Sequence, residues 1–240
     1  MDSTKYLLTA TFSAPPRDQV IDDPMSAFEK DIAAAFPDRQ HLHTVCNPRF
    51  ATHRDPWVGD VLEQLQGVDI LLQPCLISAG PEFLRLKSVL PSHIFLGQPL
   101  LNRRENCLEC ARALLPTLPN KAVVFMAHGS KVADCFDFSP EMEAAFAILG
   151  RKDIYFANLE GANSLIRLLP RLKEEQVQLR PFLFHSRLHR QQDLERLWIP
   201  ALEQAGHRVD CQSAGLCAYP EIRQLYIAHA KRAHQLGNYA

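Results

Sequence analysis

At 240 residues the chain has room for one large domain or for two lobes of roughly 110–120 residues each. Hydrophobic residues make up 47% and charged residues 22%, an ordinary balance for a soluble globular protein, and no apolar run approaches a membrane span. A formal net charge of −1 gives no general attraction to nucleic acid or to anionic membranes, so neither is an expected partner.

The opening Met1-Asp2-Ser3-Thr4-Lys5-Tyr6 runs straight into a strand-like segment and lacks a signal-peptide layout, so a cytoplasmic location is expected. Short β-rich runs then alternate with amphipathic helices. Strands are expected at 6–12, 40–46, 69–73 and 93–96 in the first half, and at 122–127, 154–157, 178–184 and 208–212 in the second. Asp23-Pro24, Asp55-Pro56 and Ser139-Pro140 each set a capping oxygen before a proline suited to the first helical position. Gly80-Pro81 and Tyr219-Pro220 use the proline without the strong cap. In the first helix Met25, Phe28, Ile32 and Phe36 form one apolar stripe, and Pro170 predicts a break within 163–174.

Strands alternating with helices imply right-handed crossovers and largely parallel sheets covered on both faces. Four β-α units followed by four more predict an α/β fold of two similar lobes, each a parallel four-stranded sheet flanked by helices. Pro116-Thr117-Leu118-Pro119-Asn120 is the natural boundary, giving lobes 1–117 and 118–240. Leu72-Gln73-Pro74-Cys75-Leu76-Ile77 echoes Leu179-Arg180-Pro181-Phe182-Leu183-Phe184 in the third strand of each half, as duplication would leave it. A cleft between two such lobes suits a large flat ligand.

Seven cysteines are scattered along the chain, and only Cys107 and Cys110 have CxxC spacing. A zinc ribbon needs a second pair, and these two lie in a helical stretch, so free thiols without structural disulfides are expected.

The chemistry gathers in the second half. His128 follows the apolar run Ala122-Val123-Val124-Phe125-Met126, Glu160 follows Ile154-Tyr155-Phe156-Ala157, and His189 follows Phe182-Leu183-Phe184. Parallel neighbouring strands open such residues into one crevice at the sheet's carboxyl edge, where α/β proteins place their chemistry. Two imidazoles and a carboxylate suit a borderline divalent metal such as Co²⁺, Fe²⁺, Ni²⁺ or Zn²⁺. His185 lies nearer the strand end than His189, and spacing alone does not choose between them. The other histidines, His41, His43, His53, His93, His207, His229 and His234, have no partner pattern and read as surface or satisfied residues.

At these residues the chain resembles the anaerobic cobalt chelatases that insert Co²⁺ into sirohydrochlorin. The matching turns are Phe125-Met126-Ala127-His128-Gly129, then Asn158-Leu159-Glu160-Gly161, then His189 after a Leu-Arg-Pro strand. Phe36-Pro37-Asp38-Arg39 and Ile222-Arg223-Gln224-Leu225-Tyr226-Ile227-Ala228-His229 support them, in the same order along nearly the whole chain. The surrounding loops depart from the family: Ala127 stands where a glycine is usual, and Ser186-Arg187-Leu188 where Ala-Gly-Asp is usual.

The resemblance implies a class II chelatase fold, with His128, Glu160 and His189 holding the incoming metal and His128 also taking a pyrrole proton. It implies cobalt as substrate metal, a tetrapyrrole as the second substrate, and neither ATP nor an organic cofactor. It also makes Ser13, in the loop Thr11-Phe12-Ser13-Ala14-Pro15, a candidate substrate contact. Sirohydrochlorin is an octacarboxylate, and guanidinium groups hold carboxylates bidentately, so Arg187 and Arg190 beside the third ligand are candidate anchors, as is Arg49 in the first half. A three-ligand site with open positions releases a metal more readily than a closed four-ligand cage. A ferro- or nickel chelatase, or a non-catalytic tetrapyrrole- or metal-binding protein of the same descent, shares these features. The helical faces leave a homo-oligomer open.

Overall fold

A computed structural model describes residues 4–15, 23–132, 137–185 and 190–235, the side chains of 190–192 excepted. In chain order, β1 (Lys5–Thr11), α1 (Pro24–Ala35), β2 (Gln40–Val45), α2 (Val58–Gln64), β3 (Asp69–Pro74), α3 (Pro81–Val89) and β4 (Phe95–Leu96) come first. Then follow α4 (Arg104–Leu114), β5 (Ala122–Gly129), α5 (Ser139–Ile148), β6 (Ile154–Glu160), α6 (Leu165–Leu168) and β7 (Gln176–Pro181). A π-helical segment (Arg190–Trp198), α7 (Ile199–Gln204), β8 (Arg208–Cys211), α8 (Pro220–Lys231) and β9 (His234–Gln235) complete the chain.

The strands form two sheets with the same topology. One runs β2-β1-β3-β4 in parallel and the other β6-β5-β7-β8 in parallel. The first sheet is extended by the two-residue β9, antiparallel to β4, which the expected four-stranded sheet lacked.

The two compact units are Met1–Asn102 with Pro220–Ala240, and Arg103–Tyr219. This corrects the boundary at 117/118. The proline-rich stretch is the strongest local breaker, but tertiary contacts decide. α4 packs on α5, and Arg180 of β7 donates to the Thr117 carbonyl at 2.7 Å and to the Tyr219 hydroxyl at 3.3 Å. A buried guanidinium must find acceptors, and these lie near the two ends of the second unit. α8 returns to the first unit, where Arg223 Nε meets Asp31 at 2.6 Å and the Tyr226 hydroxyl donates to the Leu76 carbonyl at 3.1 Å.

In the first unit Leu8, Ala10, Ile70 and Leu72 alternate onto the face covered by Val58, Leu62, Phe83 and Leu86. The opposite side holds Met25, Phe28 and Ile32 of α1, the expected stripe. In the second unit Val124, Met126, Val177 and Leu179 pack with Leu168, Leu194, Trp198 and Leu202. Around Phe125 a separate aromatic group gathers, with Phe156 at 4.9 Å and Phe182 at 5.5 Å between ring centroids.

The helix signals behave unevenly. Asp23 caps α1 through the Ser26 amide at 3.1 Å, and α6 ends before Pro170. Ser139 is instead the first residue of α5, and its amide donates to Asp137 at 3.0 Å. Asp55 caps nothing: α2 starts at Val58, and the Asp55 carboxylate turns inward. Among the described residues six cysteines are free, five of them buried; Cys135 lies outside. Burial, with the charge of Glu141 adding to it, pushes the Cys107 thiol up to about 11, which makes it a poor nucleophile.

Candidate metal centre

β5 and β6 run further than expected, so His128 is the next-to-last residue of β5 and Glu160 the last of β6, rather than beyond them. Gly129 pairs with Glu160 in the register, two residues past Ala127 opposite Asn158 in the regular pleat. Strict alternation assigns His128 to the face of Val124 and Met126, and Glu160 to the face of Phe156. Both residues stand at the carboxyl edge of adjoining strands.

Two glycines make that edge. Gly129 has φ 72°, and a Cβ there would strike the Glu160 carbonyl and stand 2.6 Å from the Asn158 Cβ. Gly161 has φ 91°, and a Cβ there would strike the Ser130 carbonyl. The turns after β5 and β6 thus touch backbone to backbone, which only glycine permits. Asn158 locks them from behind. Its amide donates to the Asn163 carbonyl at 2.6 Å, closing the short loop that carries Glu160, and its buried side chain accepts from Ser139 Oγ at 3.4 Å.

His128 is exposed, and its Nδ1 lies 3.3 Å from the Gly129 carbonyl. A carbonyl only accepts, so a hydrogen bond here is one that Nδ1–H donates. Glu160 is partly exposed, and its carboxylate pairs with Lys131 Nζ at 3.2 Å. A cation arriving at Glu160 meets an ammonium already there. That ammonium is 76% exposed and tethered by a flexible stem, so displacing it costs about 1 kcal/mol or less.

His189 and Arg187 lie outside the described residues, and of Arg190 only the backbone, opening the π-helical segment, is described. Among the described residues no three His, Cys, Asp or Glu side chains assemble as a ligand set. β7 ends at Pro181 rather than at 184, which leaves His185 four residues beyond it. Phe182 still follows the sheet, its amide donating to the Met126 carbonyl at 2.6 Å, and Gly215 lies so close that a Cβ there would stand 2.7 Å from the His185 Cα. His185 is thus fixed by its backbone in a packed turn.

In the first unit Ser13 is buried, with its carbonyl accepting from the Thr11 hydroxyl at 2.8 Å. That position makes it a support for the loop after β1. A feature that sequence reasoning missed lies beside it. His43 on β2 is 9% exposed, its Nδ1 donates to Asp55 Oδ1 at 2.8 Å, and its Nε2 is 3.0 Å from Thr11 Oγ1. Asp55 is itself 3% exposed. No local signal joins residues 43 and 55, because the pairing depends on how the intervening loop folds back.

Two units of parallel α/β sheet share one strand order, and the second sets a histidine and a glutamate on interlocked glycine turns at its carboxyl edge. The family model described as Cobalt chelatase (CbiK) matches residues 8–235, and the chain belongs to that family. No individually curated protein sequence matches it. Among solved structures, SirB from Bacillus subtilis with Fe³⁺ superposes with a TM-score of 0.62 at 14% identity, covering 95% of each chain. CbiX, the terminal enzyme for biosynthesis of siroheme in denitrifying bacteria, gives 0.58 at 17% identity, over 95% of this chain and 99% of that one. The sirohydrochlorin chelatase SirB from Bacillus subtilis subspecies spizizenii in complex with cobalt gives 0.57 at 13% identity, over 95% and 94%. At these identities the likeness is one of fold, and it agrees with the two-sheet topology.

Proposed function

We propose that the protein is a sirohydrochlorin cobaltochelatase of the anaerobic cobalamin route, working in the cytoplasm without an organic cofactor. The observation that carries this reading is the pairing of His128 and Glu160 on adjoining strand ends, held there by Gly129 and Gly161. Family membership supports metal chelation as the reaction class, and the family's description favours cobalt as the metal. In the balanced reaction, Co²⁺ and the free-base macrocycle give the cobalt macrocycle and two protons.

His128, Glu160 and His189 hold the ion in this reading. Glu160 exchanges Lys131 for the cation, and the carboxylate's charge draws the ion to the edge. Once the metal passes to the macrocycle, the Nε2 of His128 accepts a pyrrole proton, a task suited to an imidazole near neutral pH. Arg187 and Arg190 hold substrate carboxylates, and Ser13 supports the loop after β1. The solved relatives carry iron in one case and cobalt in another, so the order of metals is measured rather than read from the ligands.

The test is anaerobic absorption spectroscopy of sirohydrochlorin with Co²⁺, Fe²⁺ or Ni²⁺ and catalytic protein. Multiple turnovers, fastest with Co²⁺, are expected. A stoichiometric spectral shift that stops at one equivalent would replace the enzyme by a tetrapyrrole carrier.

A further inference from the structure

Among the described residues, the loop that follows β2 is the most strongly cationic stretch of the first unit's carboxyl edge. Residues 48–54, Pro-Arg-Phe-Ala-Thr-His-Arg, are all exposed, and they contain Arg49, His53 and Arg54 but no acid. The next residue is an acid, Asp55, and the fold removes it from the surface: it is buried and hydrogen-bonded to His43. The loop's outward charge is therefore entirely positive, although the chain as a whole is slightly acidic.

The loop is also rigid for its length. Asn47 Oδ1 accepts from the Arg49 amide at 3.1 Å, and a short 3-10 turn, Pro48–Phe50, follows. The Thr52 amide donates to the Asp55 carbonyl at 2.9 Å, the Asp55 amide donates to Thr52 Oγ1 at 3.0 Å, and Val45 N–H closes the base on the Pro56 carbonyl at 2.9 Å. Phe50 leans on Phe12 of the β1 loop at 5.2 Å. Beneath it all, Asp55, His43 and Thr11 form one hydrogen-bonded chain that ends on the Ser13 carbonyl. Two other guanidinium groups of this unit are spent on acids, Arg39 on Asp69 at 3.1 Å and Arg223 on Asp31 at 2.6 Å. Among the described residues Arg49 and Arg54 have no such partner.

We infer that this loop is a preorganised polycarboxylate-binding element, with Arg49 and Arg54 as its anchors and His43–Asp55 as its positioning pair. The inference rests on the proposed function, whose substrate is a flat octacarboxylate. Planar guanidinium forks match carboxylates bidentately, and a loop already fixed loses little entropy when it binds. The withdrawal of Asp55 does two things at once: it pins the loop and removes the one acid that would neutralise it.

The experiment uses the full chain and metal-free uroporphyrin, an octacarboxylate, with the tetracarboxylate coproporphyrin as comparison. Binding is titrated by absorbance at low and moderate ionic strength. Arg49→Gln/Arg54→Gln is expected to weaken uroporphyrin binding by about tenfold and to flatten its salt dependence, with a smaller effect on coproporphyrin. Arg49→Lys/Arg54→Lys is expected to recover part of the loss. His43→Gln is expected to weaken binding while keeping the same salt slope, because the charges remain but their placement loosens. Unchanged affinity and salt slope in the double glutamine variant would overturn the inference while leaving the chelatase reading in place. A loss equal for both porphyrins, accompanied by a lowered melting temperature, would also overturn it. Wild-type protein that binds neither porphyrin would overturn this inference, whereas the chelatase reading falls only if sirohydrochlorin itself is neither bound nor metallated.

Discussion

In the second unit, β5 and β6 end in glycine turns that touch backbone to backbone, whereas in the first unit the matching ends of β1 and β2 are joined by side chains, Asp55, His43 and Thr11. Both sheets have the same strand order, so the difference lies in what each edge is made of. A backbone-built edge needs no side chain to hold itself together, and it leaves His128 and Glu160 at the surface for chemistry. A side-chain-built edge uses up its histidine and its acid internally and presents the arginines of the loop it supports. In the proposed reading, one edge holds a cation and the other holds anions.

The contrast is most sharply broken by removing a part of each edge. Asp55→Ala leaves His43 buried without its acceptor and is expected to cost about 3 kcal/mol, read as a lower urea midpoint. Gly129→Ala forces an L-residue to φ 72° against the Glu160 carbonyl and is expected to cost about 2 kcal/mol on the same measurement. If Gly129→Ala were neutral, the interlocked turns would not be what fixes the second edge.

Smaller changes refine the comparison. Lys131→Gln takes away the cation that competes for Glu160 and is expected to tighten Co²⁺ binding by about threefold to fivefold in a calorimetric titration. A weakening would mean that Lys131 assists the metal. The smallest effect concerns β8, where hydrogen bonds from Lys121 and then Gln178 hold the Asp210 carboxyl below the usual carboxylate range. A depressed carboxyl contributes stability above its unfolded pKa, and that contribution is lost as pH falls through the folded value. Asp210 is half exposed, so Asp210→Asn is expected to lower stability at pH 7 by a few tenths of a kcal/mol, with the difference vanishing near pH 2.

Much of this was legible in the sequence because it is written locally. The eight parallel strands follow from apolar runs bounded by turn residues. What was not legible depends on contacts distant in the chain. Asp55-Pro56 carries the same signal as Asp23-Pro24, yet only Asp23 caps a helix, because a buried histidine twelve residues earlier claims Asp55. Ser13 is a candidate substrate contact through the resemblance alone, and the loop after β1 folds it inward, which no local signal announces. The boundary of the units was misplaced because Pro116 and Pro119 interrupt the chain locally, while Arg180 ties that stretch to the second sheet. His189 and Arg187 stay a proposal carried by the resemblance, and Arg190 rests on it for everything but its backbone.

The central claim is that the second unit's edge transfers a metal by way of His128. Its most direct test is the anaerobic initial rate of cobalt insertion into sirohydrochlorin by wild-type protein and by His128→Ala, with tetrapyrrole binding measured on both. The account predicts a fall of about a hundredfold or more in rate while tetrapyrrole affinity stays within about threefold. Equal rates in the two proteins would contradict it.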